Sequence, residues 1–280
     1  MHSYTVEKLK HLIYNTIAEA YRKLTPADVE KKLARADWID RKAVRLGIRE
    51  LVSSGKLSYT YLYGRSFIEE SFRRPVRISE RIVVKPPGRR YQPQSGEVTI
   101  SIASGIAFGN GSHPSTYLAL RALDHVLGGD YYAEEYDASY GLDVGTGTGI
   151  LAIAMAMLGV ERVVGLDLDP CALWEATQNV RLNNLGSRVT ISDVALNSLQ
   201  TPFSLIVANM AFPTLKAISG ICAEKAKRGA ILILSGFKVS ALEETLRAYL
   251  RNGCRLIRQQ IDRNWACLVL RKKGEASLPS

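Results

Sequence analysis

The chain has 280 residues, 46% hydrophobic and 23% charged, which are the proportions of a soluble globular protein with room for one large domain and one small one. No apolar run approaches the roughly 18 to 20 residues that a membrane span needs, and the N-terminus lacks a signal-peptide pattern, so a cytoplasmic protein without a membrane partner is expected. The net charge of +10 is uneven: residues 1–96 hold 20 Lys/Arg against 10 Asp/Glu, and residues 97–280 hold 17 against 17. Such an asymmetry is expected where the first third meets an acidic partner.

Val6, Leu9, Ile13, Ile17, Ala20 and Tyr21 recur at helical spacing and predict a first helix over Thr5 to Lys23. Thr25-Pro26 reads as the cap and first residue of a second helix, with Val29, Leu33 and Ala34 inside. Asp40 reads as the cap of a third, with Val44, Ile48, Leu51 and Val52 facing inward and Gly55 ending it. The period then changes to two over Leu57, Tyr59, Tyr61 and Tyr63, and Ser66 to Phe72 offers a return strand after Gly64-Arg65. Three helices and a hairpin are a winged-helix-like arrangement, so residues 1–72 form the first expected domain. Arg41, Arg45 and Arg49 fall on one stripe of the third helix, with Lys42 beside it and Lys56 and Arg65 extending the positive surface. These six are candidates for nucleic-acid or partner binding, against the plainer reading of a solvated helix face. The three tyrosines share a strand face, which suits core packing as well as base stacking.

Residues 73–96, rich in proline and arginine, read as a linker with one strand near Arg81 to Lys85. From about 97 to 271 strand and helix alternate, which predicts an α/β domain with a parallel sheet covered on both faces. Its strands are Gly141–Val144, Arg162–Leu166, Val189–Ser192, Leu205–Ala208 and Ala230–Leu234. Helices follow at Ile150–Leu158, from Pro170, and at Ala241–Leu250. Cys254–Ile261 and Trp265–Leu270, around the turn Asp262-Arg263-Asn264, suggest a closing antiparallel hairpin, and residues 272–280 read as a loose tail. Cys171, Cys222, Cys254 and Cys267 form no C-x-x-C pair and read as reduced thiols, and no metal site is expected.

The loop Asp143-Val144-Gly145-Thr146-Gly147-Thr148-Gly149 sits between a strand and a helix. Its glycines let a ligand approach the backbone closely, and a dinucleotide is the rival ligand. Against that rival, Ala152 stands where a dinucleotide loop has its third glycine. Asp143 also places a carboxylate where a cationic ligand fits better than a pyrophosphate. The amino group and sulfonium of S-adenosylmethionine meet that requirement, with Gly145, Thr146, Gly147 and Gly149 as the cradle. Asp167, about twenty residues on, can accept ribose hydroxyls, while Asp169 reads as a helix cap before Pro170. Asp193 can take an adenine amine, though a loop cap is as plain a reading. Asn209, at the carboxyl edge of the fourth strand, can accept an N–H of an incoming amine, with Phe212 in an apolar collar; its plainer reading is a helix cap.

The block Ala107-Phe108-Gly109-Asn110-Gly111-Ser112-His113-Pro114-Ser115-Thr116 resembles the A-F-G-T-G-x-H-x-T-T block of the bacterial ribosomal-protein methyltransferase family that modifies the large-subunit stalk-base protein. Leu142–Ile153, Gly165–Asn184 with its A-x-x-x-A-x-x-N run, and Ala208-Asn209-Met210 match in the same order, so that the resemblance covers roughly residues 80 to 271. It implies the seven-stranded Rossmann-like methyltransferase fold, S-adenosylmethionine as cofactor and methylation of a protein nitrogen, on lysine or an N-terminus. It further implies that Phe108, Gly109, His113 and Thr116 line the cofactor or the reacting centre; a packing role that fixes the loop before Pro114 is the plain alternative for His113. The sequence departs from the family at Asn110, Ser115 and Met210, and in its first domain, which in the family is an α/β module. A nucleic-acid N-methyltransferase guided by the basic module, and a non-catalytic regulator that senses the cofactor and binds DNA, are the two further readings.

Overall fold

Thr25 accepts a hydrogen bond from the Asp28 amide at 3.2 Å while Asp28 accepts from the Thr25 amide at 3.0 Å, a reciprocal cap that starts a helix where the sequence places one. The computed structural model describes residues 6–20, 23–34, 39–62, 65–71, 75–103, 107, 109, 113–128 and 139–274. The chain divides into two compact units, residues 1–73 and 74–280.

The first unit holds α1 (Val6–Ala18), α2 (Pro26–Leu33), α3 (Arg41–Ser53) and the antiparallel hairpin β1 (Leu57–Leu62) and β2 (Arg65–Glu70). Its core is Ile13, Ile17, Leu24, Val29, Leu33, Val44, Ile48, Leu51, Leu57 and Ile68. Asp40 caps α3 by accepting from the Lys42 amide at 3.1 Å. Tyr59 is 49% exposed, so it lies outside that core.

In the second unit, β3 (Val76–Arg77), β4 (Ile82–Lys85) and β5 (Val98–Ser101) form a small sheet. Only β4 is legible from the sequence; β3 has two residues and carries no periodicity. The chain continues through α4 (Pro114–Gly128), β6 (Tyr140–Val144), α5 (Ile150–Met157), β7 (Arg162–Leu166), α6 (Pro170–Leu182), β8 (Val189–Ser192) and β9 (Phe203–Asn209). It ends with α7 (Phe212–Ala217), α8 (Ser219–Lys225), β10 (Ala226–Lys238), α9 (Leu242–Arg251), β11 (Cys254–Asp262) and β12 (Trp265–Lys272). The seven-stranded sheet has the order β11-β12-β10-β9-β6-β7-β8. Neighbours from β10 to β8 are parallel, and β12 runs antiparallel to both β10 and β11, the closing hairpin expected from the sequence. This is the expected α/β Rossmann-like architecture.

The sheet order reverses between β6 and β9, which pair Val144 with Ala208. At such a switch point the carboxyl ends of two strands diverge into opposite crossovers and leave a crevice for a ligand. The glycine loop and Asn209 border that crevice. No helix among the described residues is long and apolar enough to cross a membrane.

Candidate active site

The loop after β6 turns through Gly145, Gly147 and Gly149 at φ of 71°, 55° and 82°, angles open to glycine and costly for other residues. A side-chain carbon on Gly149 would come within 3.2 Å of Ala176 on α6, so the loop also packs too closely for one.

Three amides of the loop are already used. Thr146 N–H donates to Leu166 O at 2.8 Å, Gly149 N–H to Thr146 O at 2.8 Å, and Gly147 N–H to Asp167 Oδ2 at 2.9 Å. A pyrophosphate site needs such donors free, so the loop is poorly suited to the dinucleotide rival.

Beneath it Asp143 is fully buried. Its Oδ2 accepts from Thr146 Oγ1 at 2.7 Å and from the Ala152 amide at 3.1 Å. Its Oδ1 has no hydrogen-bond partner among the described residues. Burial pushes this carboxyl up to about 7, against the two hydrogen bonds that favour its charged form. A positive ligand nearby would draw it back down. Asp143 therefore fits a cationic ligand of the kind S-adenosylmethionine provides.

At the end of β7 the Asp167 carboxylate is fixed on both oxygens: Oδ1 accepts from the Leu168 and Asp169 amides at 2.8 and 3.1 Å, and Oδ2 holds the glycine loop. It is half-buried, leaving part of the carboxylate at the surface. Asp169 caps α6 by accepting from Cys171 N–H at 2.9 Å, with Pro170 following. Asp193 is exposed just after β8.

Asn209 ends β9. Its Nδ2 donates to Thr116 Oγ1 at 3.1 Å, and its Oδ1 is buried without a partner among the described residues. The cap of α7 is Ala211, with no side-chain hydrogen bond, so Asn209 is not the cap of that helix. The half-buried Phe212 has the Lys216 ammonium 5.6 Å from its ring centre. Met210 lies against Gly145, whose added side-chain carbon would meet Met210 Cε at 3.0 Å. Met210 thus joins the asparagine to the glycine loop, a contact that the sequence does not reveal.

Gly236 and Ser235 are further residues that sequence reasoning missed. Gly236 has φ of 90°, and a side-chain carbon there would lie 2.5 Å from Met210 N and 2.6 Å from Met210 O. Ser235 O accepts from the Met210 amide at 3.0 Å, and Ser235 Oγ donates to Ser115 O at 2.9 Å. The register break between Leu234 and Phe237 in β10 is therefore shaped around the Asn209-Met210 turn. A glycine inside an apolar strand was the available signal.

Thr116 is fully buried on the first turn of α4, next to Ser115. Ser115 N–H donates to His113 Nδ1 at 3.2 Å, and Ser115 Oγ lies 2.8 Å from the same nitrogen. An Nδ1 that accepts a backbone N–H carries no proton, so the ring is the Nε2–H tautomer. Burial and the nearby Lys238 charge lower its pKa to about 4, and it packs edge-on against Trp265 with ring centres 4.5 Å apart. His113 is thus a neutral ring that fixes the start of α4. Phe108, the other expected residue of this block, lies outside the described residues. Gly109 is described: its carbonyl accepts a hydrogen bond from Thr148 Oγ1, which ties the block to the glycine loop.

The approach to that block is held by one face of α6. Asn183 Oδ1 accepts from the Ser101 amide at 2.8 Å, Asn179 Oδ1 from the Ala103 amide at 3.0 Å, and Glu175 Oε2 from the Ala107 amide at 3.0 Å. Spaced four apart, the three side chains lie along one stripe and hold the amides of Ser101, Ala103 and Ala107. Asn179 Nδ2 also donates to Thr148 O at 2.9 Å, binding this stripe to the cofactor loop.

On the first unit, Arg41, Lys42, Arg45, Arg49, Lys56 and Arg65 are all exposed. Arg45 is held by Glu30 through two hydrogen bonds of 2.7 and 3.0 Å, so that the arginine stripe is partly neutralised at its centre.

The model of the ribosomal protein L11 methyltransferase (PrmA) family matches residues 68–273. Curated relatives described as ribosomal protein L11 methyltransferase include that of Geobacter sp. (strain M21), 37% identical over 199 residues, 71% of this chain and 64% of the relative. That of Geobacillus kaustophilus (strain HTA426) is 35% identical over 201 residues, 71% of this chain and 62% of the relative. The matched segment thus spans less than two thirds of these relatives' length. The crystal structure of a ribosomal protein L11 methylase from Lactobacillus delbrueckii subsp. bulgaricus aligns with a TM-score of 0.63 at 25% identity, covering 72% of this chain and 100% of that one.

Proposed function

The chain belongs to the ribosomal protein L11 methyltransferase family, and on that premise we propose that it is an S-adenosylmethionine-dependent N-methyltransferase acting on an amine of a ribosomal protein, a lysine or an N-terminus. The observation that carries this reading is the buried Oδ1 of Asn209 beside the glycine loop, which has no partner among the described residues. A buried acceptor without a donor is costly, and the N–H of an incoming amine would satisfy it. The curated relatives carry the name of the same substrate.

S-adenosylmethionine, when bound, supplies a methyl group activated on a positively charged sulfonium. Asp143, Gly145, Thr146, Gly147, Gly149, Asp167 and Asp193 are the residues proposed to hold it, together with Thr116 and Asn209. Asn209 fixes the amine by one N–H and turns its lone pair towards the site, a gain from orientation and exclusion of water. A lysine amine, with a reference pKa near 10.4, must lose a proton first. His113, held neutral but committed to Ser115, is not placed to take it. Loss of that proton to solvent is the simplest route.

The exposed cations of α3 support a docking role for the first unit, on an acidic protein surface or on RNA, which would bring the substrate in. Incubation of the protein with methyl-labelled cofactor and a ribosomal fraction, followed by separate protease and nuclease digestion, tests the reading. Label released by protease alone is expected. Label released only by nuclease would transfer the activity to nucleic acid.

A further inference from the structure

The apolar run Ala230-Ile231-Leu232-Ile233-Leu234 in β10 is broken at Ser235-Gly236 and resumes with Phe237. Ser235 is fully buried. A hydroxyl taken out of water is costly unless it is bonded, and an alanine would fill the same place in the strand without that cost. The bonds that Ser235 makes supply the reason for a serine.

Ser235 stands opposite Asn209 in the parallel pairing of β10 with β9. Its carbonyl accepts from the Met210 amide at 3.0 Å, one residue past the asparagine. Its hydroxyl donates to Ser115 O at 2.9 Å, one residue before Thr116, and lies 3.3 Å from Ala266 O. A hydroxyl has one proton to give, and the shorter contact is the one to α4. Thr116 Oγ1 in turn accepts from Asn209 Nδ2 at 3.1 Å. These contacts close a ring. It runs from the Asn209 side chain to Thr116, back one residue to Ser115, across to Ser235, and through Met210 to Asn209 again. The first turn of α4 cannot draw away from β9 without breaking the Ser235 bond together with the Asn209 bond, so each supports the other.

We propose that Ser235 is a positioning residue for methyl transfer, which holds the first turn of α4 against β9 and so keeps Asn209 Oδ1 aimed at the incoming amine. The serine acts through the asparagine and touches neither substrate nor cofactor. The proposal rests on the role given to Asn209 above and extends it to the residue that sets its geometry. Small displacements of a group that orients a reacting atom are costly in rate, which is what the ring prevents.

Nuclear magnetic resonance of the full chain reads the ring without turnover, through solvent exchange of the Asn209 side-chain amide proton that Thr116 holds. Ser235→Ala should speed that exchange about tenfold, as expected for the loss of one hydrogen bond. Ser235→Cys keeps the volume but offers only a weak donor, and it should act in the same direction if the alanine variant does not fold. Thr245→Val is the comparison: it removes a buried hydroxyl that donates to Ala241 O at 2.8 Å on α9, and it should leave both the exchange and turnover unchanged. With methyl-labelled cofactor and a ribosomal fraction, Ser235→Ala should lower kcat about tenfold. In the Asn209→Ala background it should cost nothing further, because the two residues act as one unit. Wild-type exchange in both Ser235 variants would overturn the proposal, as would losses from Ser235→Ala and Asn209→Ala that multiply. Full turnover in Asn209→Ala would overturn the reading of Asn209 itself, and this proposal with it, whatever the exchange shows.

Discussion

Asn209 donates its amide N–H to Thr116 Oγ1 at 3.1 Å across 93 residues of sequence, leaving its carbonyl oxygen buried and without a partner among the described residues. That single contact orients the asparagine: one end of the amide is anchored to α4, and the other is available to a substrate. Asn209→Ala is expected to lower kcat about 10²- to 10³-fold, the loss seen when a positioned polar group is removed from a reacting centre. Thr116→Val removes only the anchor and should cost roughly tenfold. Cofactor affinity, measured by calorimetry, should fall in both variants by less than turnover does. Turnover that survives Asn209→Ala contradicts the assignment.

The glycine of β10 gives a second expectation. Gly236→Ala would put a carbon 2.5 Å from the Met210 nitrogen at φ of 90°, with backbone that has no flexible end to yield. A loss of about 3 kcal/mol or more is expected in denaturant unfolding. Gly88→Ala is the comparison: φ is 73° but nothing lies within 4 Å, so only the backbone strain of about 1 kcal/mol applies. Equal losses in the two variants would contradict a steric role for Gly236.

Asp143 predicts a pH dependence of definite sign. Its carboxyl titrates near 4 in the unfolded chain and at about 7 in the fold. The folded state therefore binds the proton more tightly, and this group lowers stability as pH rises from about 4 to about 7, by a few kcal/mol at most. Asp143→Asn should accordingly raise the melting temperature more near pH 8 than near pH 4. A cationic cofactor favours the charged carboxylate, so that wild-type binding near pH 7 should release protons and tighten as pH rises. Calorimetry in buffers of different ionisation enthalpy reads this directly. Proton release of the same size from Asp143→Asn would exclude Asp143 as its source.

The α6 stripe gives a fourth expectation. Asn179→Ala frees the Ala103 amide and the Thr148 carbonyl together; Ala103 is exposed, so the cost of about 1–3 kcal/mol for a buried group left unpaired applies to the Thr148 carbonyl. Both cofactor affinity and thermal stability should fall, because Ala103 and the glycine loop share this one side chain. A stability loss with cofactor affinity unchanged would restrict Asn179 to packing.

Much of this site is legible in the sequence because its parts are local. The glycine loop, Asp167 and Asn209 each follow a strand whose apolar run marks it. The helix α4 is not legible. Pro114, Ser115, Thr116, Leu118, Ala119, Leu120, Ala122, Leu123 and Val126 are all buried, and the polar stripe of Tyr117, Arg121, Asp124 and His125 is too narrow to mark its period plainly. Gly236 and Met210 act across strands through distances that no local pattern encodes. The stripe Glu175, Asn179 and Asn183 is visible as helical spacing, but the amides that donate to it lie about 70 to 80 residues away and appear only in the fold.

The most direct test of the central claim is the intact mass of every ribosomal protein from cells with and without this gene. The account predicts that one of them, L11, becomes lighter by whole methylene units when the gene is lost, and that the mass is restored by the wild-type gene but not by Asn209→Ala. Unchanged masses for all ribosomal proteins, with a methyl group lost from RNA instead, would contradict it.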